Sequence, residues 1–141
     1  MKYFYVIILS TLCFFCKAQT IQLEISGIKN NKGQFLVGVY TNEENYSKKE
    51  PVIWKAISKE SVSDGYLITE LKGLKSTIYG IALMDDEDSN WKMNFTFFIP
   101  TEGFAFSNYY HSGIREPKFD DFKFEVTHKI NQKVCFKMRY I

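Results

Sequence analysis

The chain is a succession of short hydrophobic stretches separated by polar turns, and no segment shows a convincing amphipathic-helix pattern. IQLEIS (21–26) alternates apolar and polar residues with a period of two, which is typical of a half-buried strand. IYGIALM (78–84) is the most continuously apolar segment, so it is predicted to be a central strand. Further strands are predicted at residues 35–40, 52–58, 66–71, 95–100, 122–128 and 133–141.

Three connections between these strands stand out. The polar segment 41–51 has room for one short helical turn, with Thr41 or Asn42 as its cap. The stretch 100–121 is predicted to be an irregular loop, and loops of this length are often functional or poorly ordered. HKINQ (128–132) is predicted to be the hairpin connection of the last two strands.

About seven or eight short strands at regular spacing predict an all-β fold, either an antiparallel β-sandwich or a small barrel. Residues 19–141 contain no repeat, linker or low-complexity segment. They are numerous enough for one domain with a core of its own. The sequence therefore predicts a single β domain over 19–141.

The N-terminus is predicted to be a cleaved signal peptide over residues 1–18. Lys2 supplies a positive start, and an apolar run at 3–16 is long enough for a signal peptide and short for a membrane span. Small residues before Gln19 fit cleavage after Ala18. A buried strand or helix and an uncleaved anchor are the alternatives.

The cysteines add a lipoprotein alternative, because Cys16 follows the apolar run. Phe14 and Phe15 disfavour it, since a lipoprotein signal prefers small residues there. Cys135 is the remaining cysteine of 19–141, so no disulfide within that domain is expected. Its apolar neighbours predict that it packs as a small hydrophobe.

Charge excludes some partners. The chain carries a formal net charge of +2, and removing residues 1–18 takes away two lysines, which leaves a neutral domain. A neutral domain has no electrostatic footprint for nucleic acid or for an anionic membrane surface. We therefore expect no nucleic-acid partner and, after signal cleavage, no membrane span.

Four stretches resemble one family of secreted bacterial proteins. They are ISGIKNNKGQFLVGVY (25–40), GLKSTIYGIALMDDEDSNWKMN (73–94), FIPTEGFAFSN (98–108) and PKFDDFKFEV (117–126). On these motifs the chain is similar to family 2141 of the domains of unknown function (DUF2141), which is typical of Bacteroidetes. The resemblance implies a Gram-negative address, periplasmic or at the cell surface, and an immunoglobulin-like or transthyretin-like sandwich. It implies no activity.

The same resemblance draws attention to the acidic stretch DDEDSNWKMNF (85–95). The family tends to show alternating acids and amides there, a glycine and then a final acid. Such alternation suits calcium, which binds six to eight oxygen atoms. Trp91 stands at the glycine position, where the turn needs a positive φ. The candidate ligands are Asp86, Asp88, Asn90 and Asn94.

Two departures favour a solvated acidic turn over a metal site. Asn94 replaces the final acid with an amide, and Trp91 replaces the glycine. Counted from Asp86 as in a calcium-binding EF-hand loop, the closing position is Phe97 and not a carboxylate. We therefore predict that no cofactor is required, with weak calcium binding as the alternative.

No arrangement of residues predicts catalysis. His111 and His128 are the two histidines, and neither lies in a hydrolase signature. Aromatic residues are frequent at 95–110, and we expect Trp91, Tyr109 and Tyr110 to be exposed, with His111 beside them. These four residues are the candidate ligand or partner surface, while packing is the alternative for the aromatic cluster.

These observations predict a secreted cell-envelope module without enzymatic activity, which binds an envelope protein or a glycan. A calcium-stabilised structural module and a carbohydrate-binding module that uses the aromatic loop 100–121 are the alternatives.

Overall fold

The structure is a computed structural model that describes residues 18–128 and 131–141. The predicted signal peptide therefore lies outside the described residues except for Ala18. Among the residues that are described, none of the helices is long and apolar enough to cross a membrane.

The described residues form ten strands and two short helices, so the predicted β class is confirmed. The strand count exceeds seven or eight because several strands have only two or three residues. In chain order the elements are β1 (Gln19–Ser26), β2 (Gln34–Tyr40), α1 (Glu43–Ser47), β3 (Ile53–Ser58), β4 (Tyr66–Leu74), β5 (Ile78–Asp86), β6 (Phe95–Thr96), β7 (Ile99–Pro100), β8 (Phe104–Phe106), α2 (Phe119–Phe122), β9 (Lys123–Glu125) and β10 (Gln132–Lys137).

The strands form two main sheets and one hairpin. The three-stranded sheet has the order β10-β1-β4, and the five-stranded sheet has the order β3-β2-β5-β8 with β9 also paired to β5. β6 and β7 make a separate two-stranded hairpin. Among the described pairs β1 and β10 are parallel, and the remaining pairs are antiparallel.

The core lies between the two main sheets. On β1 the residues Ile21, Leu23 and Ile25 are fully buried, and on β2 Phe35 and Val37 belong to the same hydrophobic cluster. Period-two alternation explains this, because every second side chain of a strand points to the same face. Each fully buried aliphatic side chain contributes about 1.5–3 kcal/mol, so truncating Leu23 to alanine would cost about 2–5 kcal/mol.

A second aromatic cluster covers part of the outer face of the five-stranded sheet. It is built from Tyr46 of α1 and Phe122 of α2, whose rings are 4.9 Å apart, together with neighbouring aromatic side chains. The predicted helical turn is confirmed, and Asn42 caps α1 by accepting a 2.9 Å bond from Asn45 N. Gly80 allows the close approach of α2, because a Cβ there would lie 2.6 Å from the Phe122 ring.

The prediction of one strand at 95–100 is wrong. Two two-residue strands, β6 and β7, replace it, with Phe97 and Phe98 as the turn between them. Both residues have positive φ angles, 49° and 66°. Two successive positive φ angles are the mark of the type I′ hairpin turn, which normally carries asparagine and glycine.

The prediction that 100–121 is irregular throughout is also wrong. β8 adds to the edge of β5, and α2 begins inside this stretch. β8 has only three residues, which is too short for a period-two pattern to predict a strand. The strand predicted at 122–128 shortens to β9, because Phe122 ends α2.

The last predicted hairpin does not form. β9 belongs to the five-stranded sheet, whereas β10 crosses to the other sheet and pairs with β1 in parallel. The prediction for Cys135 is wrong as well, since this residue is exposed. Val134 and Phe136 point into the core, so the alternation of β10 turns Cys135 outward.

Candidate functional site

The acidic stretch begins at the end of β5, where Asp85 forms a buried ion pair. Asp85 and Lys59 are both fully buried, and their charged atoms lie 2.5 Å apart. The Tyr140 hydroxyl donates a 2.6 Å hydrogen bond to the other carboxylate oxygen. Burial raises the pKa of Asp85, although the bonds from Lys59 and Tyr140 oppose that shift. This pair anchors the end of the sheet and is closed to a ligand.

Asp86 faces the opposite side of the strand and holds the loop that follows. It is fully buried, and its Oδ1 accepts a hydrogen bond from Asn90 N at 3.0 Å. Its Oδ2 accepts bonds from Trp91 N at 3.1 Å and from Gln34 Nε2 at 2.8 Å. The carboxylate thus satisfies backbone donors that the turn would otherwise leave unpaired.

Trp91 shows that the turn keeps the shape expected of a glycine. Its φ is +65°, and its side chain is exposed. A residue with a Cβ in this conformation costs roughly 1–2 kcal/mol. The side chain is about half covered, and the turn is also held by the hydrogen bonds to Asp86.

The two predicted amide ligands, Asn90 and Asn94, form hydrogen bonds within the loop. Asp88 Oδ2 accepts bonds from Asn90 Nδ2 at 2.8 Å and from Asn94 Nδ2 at 2.9 Å. Asn90 Oδ1 accepts a 2.7 Å bond from the backbone of Lys92. The bond from Asn94 is the main cause that lowers the pKa of Asp88. Asn90 and Asn94 therefore act as donors that stabilise the Asp88 carboxylate.

Glu102 supplies a third carboxylate close to those of Asp86 and Asp88. It is buried, and its two oxygens accept bonds from Glu87 N at 3.1 Å and Asn94 N at 3.0 Å. Burial raises the pKa of Glu102, and the negative charges of Asp88 and Asp86 raise it further. Sequence reasoning missed Glu102, although it lies in the resembling stretch FIPTEGFAFSN.

One carboxylate oxygen from each of Asp86, Asp88 and Glu102 lies within 4.8 Å of the other two. Calcium binds oxygens at about 2.3–2.6 Å, so two ligands on opposite sides of one ion are about 5 Å apart. The separation of the three carboxylates is therefore within the spacing of ligands around one calcium ion. The three come from separate places in the sequence, at the end of β5, in the loop and before β8.

The four residues predicted to form a partner surface differ in exposure. Trp91 and Tyr110 are exposed as predicted, and Lys137 lies 5.0 Å above the Tyr110 ring. The prediction that Tyr109 is exposed is wrong, because it is partly buried against the second aromatic cluster. His111 is partly buried beside Phe106, with ring centroids 5.9 Å apart.

A cavity of about 370 Å³ opens on the outer face of the five-stranded sheet. Its floor includes Leu36 and Met84, and His111 reaches it from the loop after β8. The β6–β7 hairpin, which begins directly after the acidic loop, contributes Phe95 and Pro100 to its wall. This volume is in the lower part of the range of about 300–1,000 Å³ that is usual for small-molecule sites.

Comparison with known proteins places the chain in a family. No curated protein and no solved structure matches it. A family model matches residues 23–134, which covers most of the chain and nearly all of the described domain. The resemblance seen in the sequence motifs is thereby confirmed. The chain belongs to the DUF2141 family, described as uncharacterized proteins conserved in bacteria.

Proposed function

We propose that the chain is a non-enzymatic binding module of the cell envelope, secreted to the periplasm or the surface of a Gram-negative bacterium. The binding surface is the outer face of the five-stranded sheet together with the β6–β7 hairpin. The immunoglobulin-like or transthyretin-like assignment of the sandwich belongs to the same proposal, and it rests on the resemblance and on two sheets that share one core.

The hairpin tip carries the proposal. Phe97 is 90% exposed and Phe98 is 98% exposed, in positions where positive φ angles favour asparagine and glycine. Phenylalanine at both positions costs about 1–2 kcal/mol each in backbone strain. It also leaves two large apolar rings in water. Contact with a partner gives these rings a role that folding does not.

Neighbouring exposed side chains extend the apolar surface beyond the tip. Ile99 lies on the hairpin, and other exposed apolar residues line the rim of the cavity. Monomeric proteins rarely expose contiguous apolar patches of this kind unless they serve an interaction. The exposed rim residues are Trp54, Phe95, Ile114 and Ile141.

Site-specific photo-cross-linking in the envelope of cells that make the protein tests the proposal. A photoreactive residue replaces Phe97 in one variant and Gln22 on the outer face of the other sheet in a control. We expect adducts from position 97 alone. Equal labelling from both positions, or none from either, would contradict the proposal that this surface binds a partner. Turnover of a substrate by purified protein that is lost in His111→Ala would contradict the non-enzymatic role.

Calcium stabilisation is the second candidate, and the convergence of Glu102 with Asp86 and Asp88 favours it. The three carboxylates supply hard oxygen ligands, and a bound ion would offset their mutual repulsion. In this function calcium would hold together the two ends of the segment 86–102, which contains the acidic loop and the β6–β7 hairpin. The ion would then have a structural role and no catalytic one.

Thermal melting of the purified protein with EDTA and then with millimolar calcium tests this candidate. A site filled a hundredfold over its Kd stabilises the fold by about 2.7 kcal/mol. That is several degrees in a domain of this size. We expect the shift to disappear in Glu102→Gln and to survive in Asn90→Ser. Equal shifts in the two variants would exclude this site.

A further inference from the structure

The cavity on the outer face of the five-stranded sheet is predominantly apolar. Its floor is formed by outward-facing residues of adjacent strands, among them Leu36, Ala82 and Met84. Alternation accounts for this, since their neighbours Val37 and Leu83 point into the core. Methionine side chains adapt easily to a ligand, because their unbranched chains are flexible and polarizable.

The charged groups at the cavity neutralise each other. Lys49 and Glu116 are its two charged lining residues, and they form an ion pair of 2.5 Å. Lys49 also lies 4.5 Å above the ring of Tyr46. The charges of these two side chains therefore cancel at the cavity.

One buried polar atom of a residue that lines the cavity has no partner. His111 Nδ1 is the single buried side-chain nitrogen or oxygen of the described residues that makes no hydrogen bond. The rings of Phe104, Phe106 and Tyr109 surround the imidazole, and aromatic rings offer it no conventional hydrogen bond. Buried polar groups in native proteins are nearly always satisfied, so an unpaired atom beside a cavity points to a partner from outside the chain.

We propose that this cavity binds a small amphiphile, with its apolar body against the sheet and its single polar group bonded to the His111 imidazole, which turns to bring the buried Nδ1 to the cavity. The polar group is a hydroxyl or a carboxyl. The inference rests on the proposed binding function, and it names a ligand class for one part of the proposed surface.

The chemistry of the lining separates this ligand class from a glycan. A sugar ring carries several hydroxyl groups, and each would need a hydrogen-bonding partner once it is buried. The lining offers few polar groups, on Tyr40, Tyr46, Trp54 and His111 besides the Lys49–Glu116 pair, among mainly aliphatic and aromatic side chains. A molecule with one polar group satisfies His111 and leaves no other polar group buried.

Isothermal titration calorimetry of the full protein with decanoic acid and with decanol tests the inference. We expect one saturable site for each probe, and no heat with a linear glucose oligosaccharide. Ala82→Phe fills the floor of the cavity and should weaken binding at least tenfold. Ile68→Phe adds a ring to the outer face of the other sheet and should leave binding unchanged.

His111→Phe tests the polar contact. It keeps an aromatic ring in place and removes the unpaired nitrogen, so we expect weaker binding by fivefold or more together with an unchanged or higher melting temperature. A purely structural role of His111 would instead lower the melting temperature. Ile114→Glu places a negative charge at the exposed rim, where it cannot disturb the core. It should weaken the binding of decanoic acid more than the binding of decanol, because the two carboxylates repel each other.

Three results would overturn the inference. They are no saturable heat with either probe, equal binding by the wild type and by both Ala82→Phe and Ile114→Glu, and undiminished binding by His111→Phe. If the probes fail while cross-linking from position 97 succeeds, the surface binds a macromolecule and the cavity is no ligand site. If both experiments fail, the proposed function fails as well.

Discussion

The two main sheets turn very different outer faces to their surroundings. Outward residues of the three-stranded sheet are mostly polar, as with Gln22 and Glu24 on β1 and Lys133 on β10. The five-stranded sheet turns Leu36 and Met84 outward, under an aromatic cluster and an apolar cavity. The polar outer face of the three-stranded sheet is suited to contact with water. The apolar outer face of the five-stranded sheet is suited to contact with protein or ligand, so we place the proposed function there.

The ion pairs of the two sheets also differ in their exposure to water. Lys59 and Asp85, at the end of the five-stranded sheet, are fully buried. Lys133 and Glu24 pair across the three-stranded sheet at 2.8 Å with an exposed lysine. Because water screens the second pair and not the first, the two pairs should respond very differently to mutation.

The largest expected effect comes from breaking the buried pair. Lys59→Met leaves Asp85 buried without its cation and should cost about 3–5 kcal/mol of unfolding free energy. Lys133→Met on the other sheet should cost less than about 1 kcal/mol. Urea denaturation of both variants measures the difference. Similar losses would mean that burial does not distinguish the two faces. The double variant Lys59→Met/Asp85→Leu should recover most of the loss.

Glu102→Gln should have the next largest effect. The amide turns one N–H group toward a backbone N–H of Glu87 or Asn94 and leaves that donor unpaired. We expect a loss of about 1–3 kcal/mol, measured by denaturation in EDTA. Glu70→Gln, on the exposed face of β4, is the matched control and should change stability little. If Glu102→Gln left the free energy of unfolding unchanged, the loop would not depend on this carboxylate.

Replacing the hairpin tip should separate stability from binding. Phe97→Asn with Phe98→Gly gives the turn its preferred residues and should stabilise the fold by about 1–2 kcal/mol. The same variant should lose cross-linking from a photoreactive residue at Ile99. Ile68→Ser on the other sheet should preserve it. A variant that is less stable, or that cross-links as before, would contradict a binding role for the two rings.

Trp91→Gly should stabilise the acidic loop by roughly 1 kcal/mol. The residue has φ +65°, so glycine removes backbone strain, and we expect this gain to exceed the loss of contacts on the covered half of the ring. Ser89 also has a positive φ, 57°, which makes Ser89→Gly a useful comparison without a ring. Thermal melting of the two variants would show whether the indole contributes. A lower melting temperature for Trp91→Gly alone would mean that it does.

The smallest effect concerns pH. The hydrogen bond from Lys133 is the main cause that lowers the pKa of Glu24 below 4.5. A lowered pKa in the folded state adds stability above the ordinary pKa, and this stability is lost as pH falls through the lowered value. The stability difference between wild type and Glu24→Gln should therefore be constant at neutral pH and shrink below pH 4.5. A difference that grows on acidification would contradict the pairing.

Much of the fold followed from local pattern. β1, β2, β4 and β5 were predicted to within a few residues, because their alternation or continuous apolarity extends over six residues or more. The helical turn was predicted with its cap, since Asn42 satisfies the first turn through neighbours in sequence. The positive φ at position 91 agrees with the glycine that the family resemblance places there.

Other features depended on contacts between distant residues. β8 is a strand because it completes the edge of β5, and β10 pairs with β1 across the whole chain. Glu102 joins Asp86 because two separate segments meet at one end of the sheet. Neither a three-residue strand nor a single carboxylate leaves a pattern in the sequence that predicts such long-range contacts.

The sequence by itself determined the class of fold, the family and the positions of the main strands, because these depend on residue periodicity and on motifs that are contiguous. Only the tertiary structure decided which acids are buried, which face remains apolar, and where His111 lies without a partner. Burial and convergence are properties of packed surfaces, and packing brings together residues whose separation along the chain says nothing about their distance in space.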